Sequence, residues 1–451
     1  VFFNVKYISK MEIQLSHEQN QALEYFNQGK NIFLTGPGGT GKSVLIRKLV
    51  ENANLRNKEI QVCAMTGCAA VLLNCKNSKT IHSWSGIGLG NGAFGSVVDR
   101  VVSSKYRSKP WKNIDILIID EVSMMSKKIF EILDTIGKKV RNRYEIPFGG
   151  IQIVFSGDFY QLPPVGQNEC PDTSEFCFES DRWKNTFNNI VCLKTIFRQT
   201  DVKYTKILNN IRKGIITKKS YEALKQRINV KIPDDFIIKP TILLPCRKDA
   251  DIINKRYLDL ISDTPVTYTL KEAVIPVTDE ISIISSKIPQ EYRLNEFNYL
   301  KNNIRADEKL ILKKGTQVMC VANIDMDGPH PIVNGSQGVV IDFRDNLPLV
   351  QFNDGQKRII GEHTWPSENV PGMGVKQIPL IHAWAVTIHK SQGMTLECAQ
   401  IDIGSKIFEC GQTYVALSRV KDLNGLYLTD FNPEKIKISR KVQNFYNSLS
   451  I

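Results

Sequence analysis

Short apolar runs alternate with segments of helical spacing in the N-terminal part of the chain. The runs 31–35, 60–64, 114–119 and 150–155 are almost continuously apolar, which is typical of strands buried on both faces. The stretch 44–50 instead repeats its apolar positions at helical spacing. Strands and helices that alternate in this way predict an α/β fold with a parallel sheet.

The same rhythm returns later in the chain and is interrupted by shorter runs. The elements of this second unit are a strand at 239–245, a helical pattern at 249–261, and strands at 379–387 and 398–403. The interrupting β-like runs lie at 317–322, 338–343, 347–352 and 357–360, the last of them after the hairpin signal Asp354-Gly355. We therefore predict a small β-barrel that is inserted into a second α/β domain.

A chain of 451 residues is too long for one ordinary core, so we expect several domains. The predicted boundaries are 11–199 for the first α/β domain, 200–264 and 379–451 for the second, and 265–378 for the inserted β-barrel. The Ser-, Gly- and Lys-rich stretch at about 76–110 is a smaller insertion in the first domain. Residues 1–10 precede Met11 and are interpreted as an upstream extension.

Charge and composition restrict the expected partners. The formal net charge is +13, which favours a polyanionic partner, although an ordinary basic protein is the alternative. No apolar run approaches the ~20 residues that a membrane helix needs, so no membrane partner is expected. The 10 cysteines are scattered without a C-x-x-C pair, which disfavours a structural zinc site and favours a reducing, intracellular compartment.

A glycine-rich segment joins the first predicted strand to the helical pattern that follows it. Its backbone N–H groups and the positive end of the helix dipole would point at one place, where phosphate binds. Lys42 can reach the β- and γ-phosphates, and the Ser43 hydroxyl can bind Mg²⁺. The alternative is a tight turn that binds nothing. The segment reads Gly36-Pro37-Gly38-Gly39-Thr40-Gly41-Lys42-Ser43, the full phosphate-loop pattern.

Two adjacent carboxylates follow the apolar run 114–119. Asp120 and Glu121 stand at the carboxyl end of a predicted buried strand, where open α/β sheets bind ligands. Asp120 would hold Mg²⁺ through water, and Glu121 would polarise the attacking water. The alternative is a helix cap, because a helical pattern follows Glu121. Together with the phosphate loop, the pair favours nucleotide hydrolysis over capping.

Polar or small residues also end two other predicted strands of the first sheet. Gln161 follows the strand at 150–155 and could sense the γ-phosphate. Thr66 and Gly67 follow the strand at 60–64, where small and hydroxyl side chains would let a nucleic-acid backbone approach closely. Tight helix packing explains Thr66 and Gly67 equally well, so the pattern leaves both interpretations open.

Ten short motifs occur in order over nearly all of the chain from Leu15 to about residue 430. Each is weak alone, but their order and spacing are specific. Together they resemble the petite-integration-frequency family of DNA helicases, in the RecD-like, 5′→3′ branch of superfamily 1. The motifs are Leu15-Ser16-x-x-Gln19, the phosphate loop, Thr66-Gly67-x-Ala69-Ala70, Thr80-Ile81-His82-Ser83, 119–124, 157–165, Phe197-Arg198-Gln199, Val333-Asn334-Gly335-Ser336-x-Gly338, 387–393 and 414–419.

The resemblance implies a fold and a set of cofactors. The two α/β units would be RecA-like P-loop domains, the 76–110 insertion would act as a strand-separating wedge, and the inserted barrel would be SH3-like. The implied cofactors are ATP and Mg²⁺. Gln19 would read the adenine edge, and Ser43 and Asp120 would hold the metal. Glu121 would be the catalytic base, and Gln161 would couple the γ-phosphate to DNA movement.

The resemblance also implies residues that act on the transition state and on DNA. Arg198 and Arg419 would be arginine fingers, the second of them delivered when the cleft closes, although a surface salt bridge is the alternative for either. A buried, hydrogen-bonded histidine is the alternative for His82. The implied DNA-binding residues are Thr66, Gly67, His82, Thr387, His389, Lys390, Ser391 and Gln392.

The implied function is an ATP-dependent DNA helicase. It would move 5′→3′ on single-stranded DNA as a monomer and open tailed or forked duplexes, with quadruplex DNA as a further substrate. The processes that fit are DNA replication, repair, recombination and telomere maintenance. Two alternatives stay open: a translocase that strips proteins from DNA without unwinding it, and a nucleotide-switched DNA-binding module.

Overall fold

The structure is a computed structural model. It describes residues 14–73, 75, 78–88, 90–166, 171–233, 238–276, 285–286, 288–304, 306–324, 332–333, 335–367 and 370–449. The predicted extension 1–10 and the motif residue Asn334 lie outside the described residues. Among the described residues, no helix has the length and apolar character needed to cross a membrane.

Capping residues in the sequence mark where several helices begin. The first helix, for example, starts after Ser16, whose hydroxyl accepts a hydrogen bond from the Gln19 N–H in a capping box. The helices are α1 His17–Asn27, α2 Lys42–Leu55, α3 Gly67–Leu73, α4 Ile81–Trp84, α5 Phe94–Val102, α6 Lys105–Asn113, α7 Lys127–Arg141, α8 Arg182–Thr186, α9 Val202–Arg212, α10 Lys218–Lys225, α11 Arg247–Leu260, α12 Gln290–Asn303, α13 Gln412–Leu417 and α14 Arg440–Ser448.

Over the described residues, the strands form two parallel sheets and three antiparallel ones. They are β1 Ile32–Thr35, β2 Ile60–Ala64, β3 Lys79–Thr80, β4 Ile116–Asp120, β5 Gln152–Gly157, β6 Asn189–Cys192, β7 Thr241–Leu244, β8 Val266–Thr269, β9 Lys271–Val274, β10 Lys309–Leu312, β11 Gln317–Cys320, β12 Gln337–Arg344, β13 Leu347–Phe352, β14 Lys357–Ile359, β15 His363–Pro366, β16 Met373–Gln377, β17 Leu380–His382, β18 Ala385–Thr387, β19 Ala399–Ile403 and β20 Leu426–Phe431.

The first sheet has the order β3-β2-β4-β5-β1-β6, with every pair parallel. Alternate side chains of its central strands enter two different cores. Phe33 and Ile119 pack in one core, whereas Leu34 and Ile118 pack in the core on the opposite face. This double burial explains the almost continuous apolar runs, and it confirms the predicted parallel α/β sheet. We call this sheet with its helices the first lobe.

The second lobe contains the sheet β18-β7-β19-β20, which is also entirely parallel. The run 379–387, predicted as part of this lobe, is divided between two sheets. Leu380–His382 (β17) pairs antiparallel with β11, and only Ala385–Thr387 (β18) pairs parallel with β7. The division lies at Ala383, whose carbonyl oxygen accepts hydrogen bonds from Thr241 and Gln317 side chains.

Antiparallel strands fill the chain between the two parts of the second lobe. A sheet of order β14-β13-β12-β11-β17 surrounds a core that includes Val318, Val340 and Val350. Smaller sheets pair β10 with β8 and order β15-β16-β9. The antiparallel character agrees with the predicted insertion at 265–378. Its exact boundaries and its SH3-like identity stay predictions.

The glycine-rich insertion at 76–110 is packed against the first lobe over much of its length. Val97, Val98 and Val101 of α5 are buried in the first-lobe core. Trp111 of α6 is fully buried, and its indole N–H donates to the Ser85 carbonyl oxygen at 3.1 Å. We predict a wedge role for this segment. Its helices α5 and α6 pack against the first-lobe core.

The last helix, α14, lies on the first lobe, although the sequence range 379–451 that contains it is predicted to be part of the second domain. Val442 is 1% exposed and belongs to the first-lobe core. Phe445 stacks on Phe178 at 4.2 Å between ring centroids and also contacts Phe33. Val442, Phe445 and Tyr446 share one helix face because they are spaced by three and four residues. The chain therefore returns from the second lobe and fastens to the first.

We predict that Phe445→Ala destabilises the first lobe by about 3 kcal/mol, at the low end for such a change because Phe445 is only half-buried. The measurement is hydrogen–deuterium exchange of the β1 amides in increasing denaturant. Phe408→Ala is the control, because Phe408 is 62% exposed. Equal protection of β1 in both variants would contradict the packing of α14.

Candidate nucleotide-binding site

The phosphate loop connects β1 to α2 and is held by contacts that leave little room for side chains. A Cβ at Gly36 would lie 2.5 Å from the Leu193 carbonyl oxygen, and the φ of Gly36 is +145°. Lys42 folds back over the loop, and its ammonium donates to the carbonyl oxygens of Gly36 and Pro37 at 2.8 and 2.9 Å. Burial lowers the pKa of Lys42. The loop is therefore preshaped, with its lysine inside it.

Two carboxylates stand at the end of β4, as predicted. Asp120 is the last residue of the strand and is 6% exposed. Glu121 has φ +55°, a left-handed conformation that is costly for a side chain of this size. Burial raises the pKa of both carboxyl groups, and the proximity of Asp120 raises that of Glu121 further. Such perturbed, buried acids mark candidate catalytic sites.

Two arginines meet at the end of α13. Arg419 is 1% exposed, and its guanidinium donates to the Val415 carbonyl oxygen at 2.9 Å and to the Ser418 hydroxyl at 2.7 Å. Arg198 donates to the Ser418 carbonyl oxygen at 3.3 Å. Burial and the neighbouring Arg198 lower the pKa of Arg419 to about 9. Neither arginine is the surface salt bridge that was the alternative for them.

The two lobes touch directly at this site. The Gly38 N–H donates to the Tyr414 hydroxyl of α13 at 2.9 Å. A Cβ at Gly38 would lie 3.8 Å from the Arg419 guanidinium. The Gln392 side chain, from the loop after β18, donates to the Glu121 carboxylate at 2.9 Å. Groups of the second lobe thus reach both the phosphate loop and the carboxylate pair.

A cavity of about 680 Å³ lies between these elements. Residues predicted from the sequence and others that were not predicted line it together. The predicted ones are Gln19, Gly38, Gly39, Thr40, Gly41, Lys42, Ser43, Asp120, Glu121, Gln161, Arg198 and Arg419. Gly36 and Pro37 belong to the loop but do not line the cavity. The lining residues that sequence analysis did not assign to the site include Gln14, Phe197, Thr200, Gly393, Thr395 and Lys421.

Phe197 is the most informative of the unassigned residues. Its ring is 55% exposed and lies 3.5 Å from the position that a Cβ of Gly41 would occupy. An exposed aromatic ring beside Gln19 in a nucleotide-sized cavity is suited to stacking on a base. The sequence could have indicated this residue, because Phe197 belongs to the same motif as Arg198.

The predicted DNA-contact residues of the first lobe serve partly structural roles. The Thr66 hydroxyl accepts a hydrogen bond from the Ala69 N–H at 3.2 Å, and Gly67 is the first residue of α3. His82 lines two small cavities, one with Lys128 and one with Arg100, Arg107 and Tyr292. Burial lowers the pKa of His82 to about 4, so its ring is neutral at physiological pH.

The predicted DNA-contact residues of the second lobe have different surroundings. Ser391 is fully buried, and its hydroxyl donates to the Ile388 carbonyl oxygen, so its side chain does not face a DNA track. The Gln392 amide donates to the carboxylate of Glu121, a residue that lines the cavity between the lobes. The Thr387 hydroxyl accepts from the Lys390 N–H at 3.1 Å. His389 stacks on the exposed Phe408 ring, with 6.1 Å between centroids.

A phosphate loop on one parallel sheet, with Arg198 beside it and Arg419 brought to it from a second lobe, defines the class of two-lobed P-loop nucleotide-binding proteins. Comparison with known families narrows this class. The model of the PIF1-like helicase family matches residues 14–222, and that of the DNA helicase Pif1 2B domain matches residues 296–343. The chain belongs to the PIF1-like helicase family.

Individual relatives agree with this assignment. The chain is 35% identical over 443 residues to the ATP-dependent DNA helicase PIF1 of Xenopus laevis, covering 97% of this chain and 65% of the relative. The crystal structure of Pif1 helicase from Candida albicans superposes with a TM-score of 0.76 at 34% identity, covering 97% of this chain and 100% of that one. Pif1 helicase from Bacteroides in complex with ADP-AlF3 and ssDNA gives 0.68 at 27% identity, covering 97% and 99%. The chain thus spans slightly less than two thirds of the length of the Xenopus relative.

We predict that Glu121→Gln raises the thermal stability of the nucleotide-free protein above neutral pH. Folding raises the pKa of Glu121 to about 7, so the unfolded chain releases this proton at lower pH than the folded chain does. Folded stability is therefore lost as pH rises from the ordinary glutamate pKa to the raised one, and the loss is complete above it. Glutamine never ionises, so the gain should shrink to zero below the ordinary glutamate pKa of about 4.3. The measurement is the unfolding temperature of both proteins across pH without Mg²⁺. A constant difference at every pH would contradict the burial of this charge.

Proposed function

We propose that this chain is an ATP-dependent DNA helicase that moves 5′→3′ on single-stranded DNA and opens tailed or forked duplexes. The observation that carries the proposal is the meeting of Arg419 and Arg198 with Lys42 and the carboxylate pair around one cavity. Cations from both sides of a cleft are what the transferred phosphoryl group of a nucleoside triphosphate requires. Family membership supplies the choice of ATP and DNA.

The site residues take defined roles in this proposal. Lys42 and the loop N–H groups hold the phosphates, while Gln19 and Phe197 contact the adenine. The Ser43 hydroxyl and the Asp120 carboxylate line the same cavity, and two oxygen ligands fit Mg²⁺, which neutralises phosphate charge when bound. Burial raises the pKa of Asp120, and a bound cation would favour its ionised form.

Glu121 is the proposed base for the attacking water. Its raised pKa suits a group that must accept a proton near neutral pH. The Gln392 amide donates to the Glu121 carboxylate and thereby orients it from across the cleft. Gln161 lines the same cavity and would report the γ-phosphate to the rest of the first lobe. Arg198 and Arg419 stabilise the charge that develops during transfer.

The proposed DNA path passes His82, Thr66 and Gly67 in the first lobe and Thr387, His389 and Lys390 in the second. Arg100 and Arg107 share a small cavity with His82 and with Tyr292 of α12, and guanidinium and tyrosine groups together suit a single strand. The net charge of +13 supports a polyanionic partner. The related Pif1 helicase from Bacteroides forms a complex with ssDNA, which supports the same class of ligand for this chain.

The insertions would convert translocation into strand separation. ATP binding closes the lobes and hydrolysis reopens them, so DNA grips that alternate in strength produce steps. The segment 76–110 would serve as the wedge and the insertion 265–378 would cover the strand. One chain on DNA suffices in this scheme, in an intracellular setting, and its roles would be replication, repair, recombination or telomere maintenance.

We predict that Glu121→Gln abolishes most ATP turnover while ATP and DNA still bind, because the water loses its base and the phosphate loop is intact. The measurement is the steady-state ATPase rate with single-stranded DNA, together with nucleotide affinity. Lys42→Ala is the comparison variant, and it should weaken nucleotide binding itself. Near-normal turnover by Glu121→Gln would exclude the assignment of this residue as the base.

We predict that a duplex with a 5′ single-stranded tail is opened and that one with only a 3′ tail is not. The measurement is strand displacement on two labelled duplexes that differ only in the tail. Opening of the 3′-tailed duplex in preference would contradict the direction. ATP hydrolysis that DNA stimulates without any strand displacement would instead identify a translocase, and DNA binding without turnover would identify a nucleotide-switched module.

A further inference from the structure

A buried ion pair links the first lobe to α9 outside the cavity. Asp158 directly follows β5 and is fully buried, and Arg212 is the last residue of α9. The guanidinium donates to both carboxylate oxygens at 2.8 Å. Asp158 in turn accepts from the Tyr160 N–H through its side chain and from the Gln161 N–H through its carbonyl oxygen. Arg212 therefore fixes the turn that carries Gln161.

Two tyrosine hydroxyls from the C-terminal part of the chain hold the entry to the phosphate loop. The Tyr446 hydroxyl of α14 lies 2.7 Å from the Thr35 hydroxyl and accepts from the Phe159 N–H at 3.2 Å. The Tyr414 hydroxyl of α13 accepts from the Gly38 N–H at 2.9 Å. Thr35 ends β1 and Gly38 lies three residues later, so the two bonds bracket the first residues of the loop.

The ion pair and the tyrosines are in contact with one another. The Tyr446 ring stacks on the Tyr160 ring, with 4.8 Å between centroids and 10° between planes. The Arg212 guanidinium lies 4.6 Å from the Tyr160 ring centroid and 5.6 Å from that of Tyr446. A guanidinium that is paired with a carboxylate and covers aromatic faces has little freedom to move. A change in the position of Arg212, Tyr160 or Tyr446 should therefore shift the other two.

The helix that carries Tyr414 is seated on the same turn. Gly411, which precedes α13, has φ +75°, and a Cβ there would lie 2.5 Å from the carbonyl oxygens of Tyr160 and Gln161. The Gly411 N–H donates to the Lys437 carbonyl oxygen at 3.0 Å, in the segment that leads into α14. The C-terminal segment is thus tied both to α13 and to the first lobe.

We propose that Arg212, Tyr414 and Tyr446 are positioning residues that fix the phosphate loop and the Gln161 turn, so that nucleotide affinity depends on contacts made by α13 and α14. None of the three was assigned to the site from the sequence. Their effect on turnover rests on the proposed function, but their effect on nucleotide binding does not, because the loop must be held in shape for any nucleotide.

The test is isothermal titration of the 451-residue chain with ADP and Mg²⁺, using Tyr414→Phe, Tyr446→Phe and the double variant. Each single change removes one hydroxyl and should weaken ADP binding about three- to tenfold. The double variant should weaken it by less than the product of the two, because the hydroxyls act on one loop. The control is Tyr144→Phe at a 61% exposed tyrosine, which should bind ADP as the wild type does.

The outcomes separate this inference from the proposed function. Wild-type ADP affinity in both single variants would overturn the positioning role, even if the wild type hydrolyses ATP. The positioning role would also be overturned if the weaker ADP binding were matched by an equal loss of folded protein. The same holds if it were matched by an equal loss of affinity for single-stranded DNA measured without nucleotide. Weakened ADP binding with unchanged DNA affinity supports it, and this holds even if no ATP turnover is found and the helicase proposal fails.

Discussion

The arrangement of the molecule depends on positive charge that is held out of water in one cleft. Arg419 is buried beside Arg198, and the pKa of Arg419 is lowered because burial and the second guanidinium both oppose its charge. Lys42 is enclosed by loop carbonyl groups on the facing side. The nearby Glu121 carboxylate offsets the cost of these buried cations only in part, since the pKa values of Lys42 and Arg419 stay lowered. A bound polyphosphate would offset that cost further. The cavity is therefore built for an anion.

The contacts between the lobes are few and polar where they meet the nucleotide. Gln392 reaches Glu121, and Tyr414 reaches Gly38, each through one hydrogen bond. Single polar contacts contribute about 1 kcal/mol each, so these two join the lobes only weakly beside the cavity. The apolar packing of α14 on the first lobe is more durable. The lobes are therefore held less firmly beside the phosphate loop than where α14 packs on the first lobe.

The sequence was sufficient where local pattern and chemistry coincide. The phosphate loop lies between a strand and a helix, as its pattern predicts. The Asp120-Glu121 pair lies at the end of a buried strand, which is also where its pattern predicts it. Helical periodicity could not say which surface receives Val442 and Phe445, since it defines a face but no partner. Ser391 and Gln392 are adjacent in sequence, yet their side chains have different surroundings. The Ser391 side chain is buried in the second lobe, whereas the Gln392 side chain contacts Glu121 of the first lobe. Only the path of the backbone decides this.

The most direct test of the central claim compares the affinity for ADP with that for ADP and aluminium fluoride, which imitates the transferred phosphoryl group. The wild type should bind the imitation far more tightly, and Arg419→Ala should bind ADP normally while losing most of that difference. Arginine fingers contribute about 10³–10⁵ to rate, so the expected loss is large. Arg419→Lys serves as the variant that retains a charge. An undiminished difference in Arg419→Ala would contradict the account.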